Sequence, residues 1–326
     1  MSSSRKKEKR RRRALARKDA HGRVHLVLQR DATGHELVAL TRPVFQEAWQ
    51  NELTAGTANT ARALLRDEPT LETTRQLARQ AMAATSRLAD ALLARAPAGS
   101  VACRAGCDHC CYQVVGVTPA EAFAVVAHVR STRSAAEVAE LLTRAAELQA
   151  RAGDLDSNAR FSPDHPCLFL DVATGQCTIY EARPLACRGM NSLDAEECER
   201  RLRDPEARAA FLAQGFGGHS YMEPIRAFHA ISAGLQLTLA ELYQLDMRPL
   251  ELLKAVTLLL SDAETAIENA WLEGESPFEA ARAADKSSEP GMRQASGALA
   301  FANDAPARTP NEPNEPNEPN EPNADR

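Results

Sequence analysis

The stretch CRAGCDHCCYQ, residues 103–113, places Cys103, Cys107, Cys110 and Cys111 within nine positions. The other four of the eight cysteines are Cys167, Cys177, Cys187 and Cys198, so the first 102 and the last 128 residues hold none. Cysteine used only as a small core residue would be scattered along the chain. Its confinement to 103–198 points to a shared site built from two separated segments.

Three chemistries compete for that site. A disulfide framework suits an exported mini-protein. Here an arginine-rich start is followed by ALARKDAHGRVHLVLQRD, with no apolar run of adequate length and no small-residue cleavage site. The expectation is therefore a cytoplasmic protein with reduced thiols. Structural zinc takes four thiolates or imidazoles at tetrahedral positions, and Cys107-x-x-Cys110 is a fitting knuckle. An iron–sulfur cluster takes a tight cysteine run plus a remote thiolate, which Cys103-x3-Cys107-x2-Cys110 and a later cysteine supply. Thiolates suit both, so the cofactor stays open between Zn2+ and an iron–sulfur cluster.

Adjacent Cys110 and Cys111 face opposite sides if the backbone is extended and converge if it turns tightly. The spacing leaves both open. A hairpin over 167–181 brings Cys167 and Cys177 close across its strands. Cys187 falls in the first turn of a short helix opened by Pro184, where amides and the helix dipole favour a thiolate. Arg183 and Arg188 flank it, and their charge would offset a thiolate-rich metal. Cys198, in acidic AEECERR, is the least certain ligand of the eight. His109 and His165 lie beside cysteines and are read as supporting or surface residues, Asp108 and Asp171 as turn residues.

Outward from the cysteines, the composition is that of a globular protein rich in helix formers. The 326 residues are 44% hydrophobic, 25% charged and only 5% aromatic. The net charge of -5 conceals a split. Residues 5–18 hold ten Lys or Arg and one acid, while the remainder holds 29 basic and 43 acidic residues. A basic arm precedes an acidic body. The arm, residues 1–20, is expected to be disordered and solvated, with nucleic acid or an anionic surface as its candidate partner. No aromatic residue interleaves the charges to stack on bases. No apolar run reaches the length of a membrane span.

Residues 21–42 read as a β-hairpin turning at RDATG. Residues 43–100 read as helical from Pro43 onward, split near Pro69. The cysteine-cluster domain, 101–200, begins with the cysteine loop and the short strand YQVVGV. Two helices follow at about 119–131 and 134–152, each opened by a capping box, Thr118 with Glu121 and Ser134 with Glu137. The second hairpin turns at Ala173-Thr174-Gly175, and Asp194 to Glu197 caps a further helix. Residues 201–285 are again helical. Residues 286–326 end in NEPNEPNEPNEPN, a composition that buries nothing and reads as a disordered tail.

CRAGCDHCC followed by PCLFLDVATGQCTIYEARPLACR resembles the bacterial CxxCxxCC cysteine-cluster proteins, the YkgJ type. Members combine C-x3-C-x2-C-C with a later Pro-Cys, a Gly-x-Cys-x-Ile-Tyr segment and an Arg-Pro-x-x-Cys-Arg segment. In this chain these are Cys103, Cys107, Cys110 and Cys111, Pro166-Cys167, Gly175 to Tyr180, and Arg183 to Arg188. The resemblance covers about residues 101–200 and implies zinc or iron chelation without a settled reaction. Flagellin lysine N-methylase carries a similar cluster, which keeps a protein-lysine methylase-like enzyme in view. Against it, no Gly-rich strand-to-helix turn offers an adenosyl cofactor site. The C-x3-C-x2-C run also resembles the radical adenosylmethionine signature, but the strands for a barrel are too few.

The expectation is thus a mainly α protein with small β-hairpins and a metal-centred cysteine-cluster domain flanked by helices. All eight cysteines are candidate ligands, and the metal is structural in the first reading. A metal-dependent enzyme and a redox or metal-handling protein are the alternatives. The flanking helices are candidate surfaces for a protein partner, and no catalytic residue is evident.

Overall fold

A computed structural model describes residues 26–282 except 67, 154, 156, 215–218 and 262–263. The basic arm, residues 21–25 of the expected hairpin and the Pro/Asn/Glu repeat lie outside the described residues. In chain order the elements are β1 (Leu26–Arg30), β2 (Glu36–Leu40), α1 (Ala48–Leu65), α2 (Leu71–Leu93), β3 (Gly116–Val117), α3 (Pro119–Thr132) and α4 (Ala135–Ala152). There follow α5 (Ser157–Arg160), β4 (Leu170–Asp171), β5 (Gln176–Cys177), α6 (Leu185–Gly189), α7 (Ala195–Arg203), α8 (Pro205–Gln214) and α9 (Met222–Leu237). The last are β6 (Leu250–Glu251), α10 (Leu252–Leu259) and α11 (Glu264–Leu272). The protein is mostly helical, and every sheet among the described residues has two antiparallel strands. No helix among the described residues is long and apolar enough to cross a membrane.

Local chemistry sets most of the boundaries. Thr118 and Glu121 close a reciprocal capping box on α3 with Pro119 at its first position, and Ser134 and Glu137 do the same for α4. The first helix starts at Ala48 rather than near Pro43. Asn51 explains the delay: its Oδ1 accepts from Val44 N–H and Phe45 N–H at 2.8 and 3.0 Å, and its Nδ2 donates to the Phe45 carbonyl at 2.8 Å. The segment before α1 is thus held as a loop folded onto the helix. YQVVGV contributes only two paired residues, and their partner is remote: Gly116 faces Glu251 and Val117 faces Leu250.

Helix α3 is the centre of the molecule. Ala120 through Val126 are all buried, so it is enclosed around its whole circumference rather than along one stripe, and its one buried charged residue in that run is Glu121. Phe123 is fully enclosed, its ring 5.1 Å from that of Trp271 and 5.8 Å from that of Phe278. Trp271 Nε1–H donates to the Asp246 carbonyl at 2.8 Å, so the indole enters the core with its polar atom satisfied. On the other side α9 crosses α1, where Thr54 Oγ1–H donates to the Ala230 carbonyl at 3.1 Å. One continuous core joins side chains of α2, α3, α4, α9, α10 and α11 to Leu168, Phe169, Ile179 and Leu185 of the cysteine segment.

Phe123→Ala removes the ring around which two other aromatics are arranged. The expected loss of unfolding free energy is about 3–5 kcal/mol, read from urea denaturation of the full chain.

Candidate metal centre

The first cysteine run is fixed by backbone contacts to segments far along the chain. Ala102 N–H donates to the Ser192 carbonyl at 2.8 Å, and Ser192 N–H donates back to Cys103 Sγ at 3.2 Å. Residues His109–Tyr112 form a 3-10 turn after Asp108, with Cys111 N–H on the Asp108 carbonyl at 2.7 Å. Within this turn the Cys111 thiol is close enough to Cys110 to raise its pKa. The Cys111 carbonyl accepts from Cys167 N–H at 2.6 Å, joining the two cysteine segments directly.

The second hairpin is short and its register is specific. Leu170 pairs with Cys177 and Asp171 with Gln176, so Cys167 lies three residues outside the ladder rather than opposite Cys177. Asp171 holds the turn: its carboxylate accepts from Ala173 N–H at 3.0 Å and Thr174 Oγ1–H at 2.8 Å. Those bonds, led by Thr174, hold its carboxyl below the usual range. Gly175 has φ +67°, and a Cβ there would stand 2.5 Å from the Gly106 carbonyl oxygen. Gly106 itself has φ +80°. The turn of the second hairpin is therefore pressed backbone to backbone against the first cysteine loop.

Helix α6 carries Cys187 and is anchored from two sides. Leu185 N–H donates to Glu121 Oε1 at 2.8 Å, while Glu121 Oε2 accepts from Thr118 N–H at 3.0 Å and Thr118 Oγ1–H at 2.9 Å. One buried carboxylate thus caps α3 and orients the cysteine helix. Desolvation raises the Glu121 pKa despite these bonds. Arg188 is a pin: its guanidinium donates to the Arg183 carbonyl at 2.7 Å, the Glu181 carbonyl at 2.6 Å and Ser86 Oγ.

The thiols sort by neighbourhood. Cys103, Cys107, Cys110 and Cys198 line one cavity together with His109. Cys167 and Cys177 pack against the main core, and Cys187 lies on α6, whose Leu185 belongs to that core. Burial, with smaller contributions from adjacent thiols, pushes Cys103 and Cys167 up to about 11. Burial also raises Cys107, Cys177 and Cys187, the last well above its ordinary value. The expected helix-dipole stabilisation of a Cys187 thiolate is not what the surroundings deliver, because α6 has only five residues and desolvation dominates. Arg183 favours the anionic forms of Cys110, Cys177 and Cys187, and Arg201 Nη2 stands 3.3 Å from Cys198 Sγ.

Two imidazole atoms beside the thiols have no hydrogen bond, His109 Nδ1 and His165 Nδ1; the nearest ion-pair contact of the former is Asp108 Oδ1 at 3.8 Å. Sulfur donors, uncommitted imidazole nitrogens and nearby guanidinium groups together suit a thiophilic cation. Among the described residues, no group of three or more His, Cys, Asp or Glu already has a metal-holding geometry. Coordination would draw the side chains inward from a backbone frame that already joins the two segments.

Sequence reasoning missed Glu121 as a tether for α6, Ser192 as the partner of Cys103 and Arg201 beside Cys198. The Thr118–Glu121 capping box signalled the first only in its local half. Residues 102–204 match the model of the CxxCxxCC family, described as "Putative zinc- or iron-chelating domain". The match spans all eight cysteines and the helices α3, α4 and α5 between their two segments. No curated protein and no solved structure matches the chain.

Two measurements check this architecture. Gly175→Ala is expected to lower stability by roughly 2 kcal/mol or more, adding a backbone clash to the left-handed penalty. Gly106→Ala meets only Thr174 O at 3.6 Å and should lose about 1–2 kcal/mol. Equal losses in urea denaturation would contradict the contact. Glu121→Gln tests the buried carboxylate. A raised folded pKa contributes stability that is full below the unfolded value and is lost as pH rises through the folded one. Wild type should therefore show a decline with pH, starting near the ordinary value of 4.5, that Glu121→Gln lacks. The wild-type minus variant difference isolates it.

Proposed function

We propose that residues 103–198 form a zinc or iron–sulfur centre whose main role is to hold the cysteine-cluster domain together in a cytoplasmic protein. The observation that carries this reading is the direct joining of the two cysteine segments, Cys111 carbonyl to Cys167 N–H and Ser192 N–H to Cys103 Sγ. These contacts gather thiols separated by long stretches of chain into one region. Any of the eight cysteines is a candidate ligand, with His109 and His165 as nearby nitrogen donors. The metal domain, 101–200, would lie between the helical segments 43–100 and 201–285, whose outer faces are candidate partner surfaces.

A structural role is favoured by what the thiols hold in place. Cys177 sits on, and Cys167 leads into, a hairpin with two residues per strand, too short to be stable alone. A bound metal supplies stability of a different order, about 10 kcal/mol or more for structural zinc. A metal-dependent enzyme remains the second reading, favoured by the cavity onto which Cys103, Cys107, Cys110 and Cys198 open.

Cys107→Ser and Cys187→Ser should each lower metal content and melting temperature together. Anaerobic purification, metal and sulfide analysis and a visible spectrum provide the readout. A colourless protein with zinc supports the structural ion, and iron with acid-labile sulfide supports the cluster. Full metal occupancy in both variants would remove those two residues from the ligand set.

A further inference from the structure

Resting on the reading of this segment as a metal centre, we propose that its thiols form two non-equivalent centres. The outer one is held by Cys103, Cys107 and Cys198 at the wall of a cavity. The inner one is held by Cys167, Cys177 and Cys187 against the core. Cys110 stands between them.

The partition follows from placement. Cys103, Cys107, Cys110 and Cys198 line one cavity, and Cys167, Cys177 and Cys187 do not. Cys167 and Cys177 pack against the main core instead, and Cys187 lies on α6, whose Leu185 is buried in that core. The chain path gives the same division. Ser192 binds Cys103 and lies just ahead of α7, the helix that carries Cys198. Cys167, Cys177 and Cys187 instead follow one another through the second hairpin into α6.

Stoichiometry and charge agree with this division. A tetrahedral ion uses four ligands, so eight cysteines exceed the needs of one ion. Arg201 stands 3.3 Å from Cys198 Sγ on the cavity side, while Arg183 favours the anionic forms of Cys110, Cys177 and Cys187.

The two surroundings differ. Cys103 is exposed, and the outer thiols share their cavity with Gln113, Phe161 and Phe211. The inner thiols sit among Leu168, Phe169 and Ile179, with Cys167 and Cys177 packed against the main core. Solvent and chelator reach the outer group through its cavity. The inner thiols are half-buried against the core, so loss of their metal needs the hairpin or α6 to loosen and the outer metal exchanges faster.

The full chain, purified anaerobically, is exposed to excess EDTA. Timed samples are analysed for metal and are alkylated with iodoacetamide for peptide mass spectrometry. The expected release has two phases, differing by roughly ten-fold or more in rate because only the inner phase requires local opening. Alkylation of Cys103, Cys107 and Cys198 should follow the fast phase, and that of Cys167, Cys177 and Cys187 the slow one. Cys198→Ser should abolish the fast phase alone and Cys187→Ser the slow phase alone. If Cys187→Ser does not fold, the alkylation order in the wild type decides. A single phase with all six thiols alkylated together, or one ion per chain, overturns the two-centre proposal and leaves the metal centre standing. A chain that holds no zinc or iron and folds normally overturns both.

Discussion

The backbone contact between two glycine-bearing loops governs the rest of the cysteine domain. Gly175 leaves no room for a side chain because the Gly106 carbonyl occupies that position. This approach, with the Cys111–Cys167 hydrogen bond beside it, fixes the distance between two segments whose connection runs through α3 and α4. Thiols on flexible loops would have to be assembled by the metal against the chain entropy of closing a long loop. Here folding of the polypeptide meets part of that requirement.

The scaffold is tied to the same region through Glu121. A carboxylate in a core is unfavourable unless its oxygens are satisfied, and this one accepts two hydrogen bonds from Thr118 at the start of α3 and one from Leu185 at the start of α6. The central helix and the cysteine helix therefore share one anion. Displacing α6 would strand that charge, and shifting α3 would release α6. The pair Arg160–Glu251, at 2.8 Å and buried on both sides, similarly connects the chain ahead of Cys167 to β6. Two buried ionic contacts thus carry the position of the thiols back to the helical core, which helps explain why the cysteine region shares that core.

The parts of this arrangement that are local in sequence were legible in it. Both capping boxes, the turn at Ala173 to Gly175 and the cap at Asp194 rely on neighbours within four residues, and residue type alone signals them. The β3–β6 pair was invisible because two-residue strands lack a periodic pattern and their partner is remote. The late start of α1 depends on Asn51 folding back on the chain before it, a choice that apolar spacing does not record. Cys167 and Cys177 were expected across a ladder. Their register is instead fixed by the turn that Asp171 holds, and it leaves Cys167 three residues outside. The cysteine set itself was conspicuous from composition, whereas its division into neighbourhoods required the fold.

The raised thiol pKa values bear on how such a site chooses its occupant. Desolvation holds Cys103 and Cys167 near 11, so at neutral pH these sulfurs keep their protons unless a cation displaces them. Protons compete with metal at every sulfur. A hard cation gains little from thiolate and loses that competition, while zinc or iron gains enough from sulfur to win it. Arg183 and Arg201 shift the balance toward thiolate without supplying a ligand, since a guanidinium has no lone pair to offer. In the proposed centre, selectivity would arise from burial that penalises bare anions, combined with sulfur that rewards only soft or borderline ions. The burial that disfavours a bare thiolate would thereby restrict such a site to a thiophilic metal.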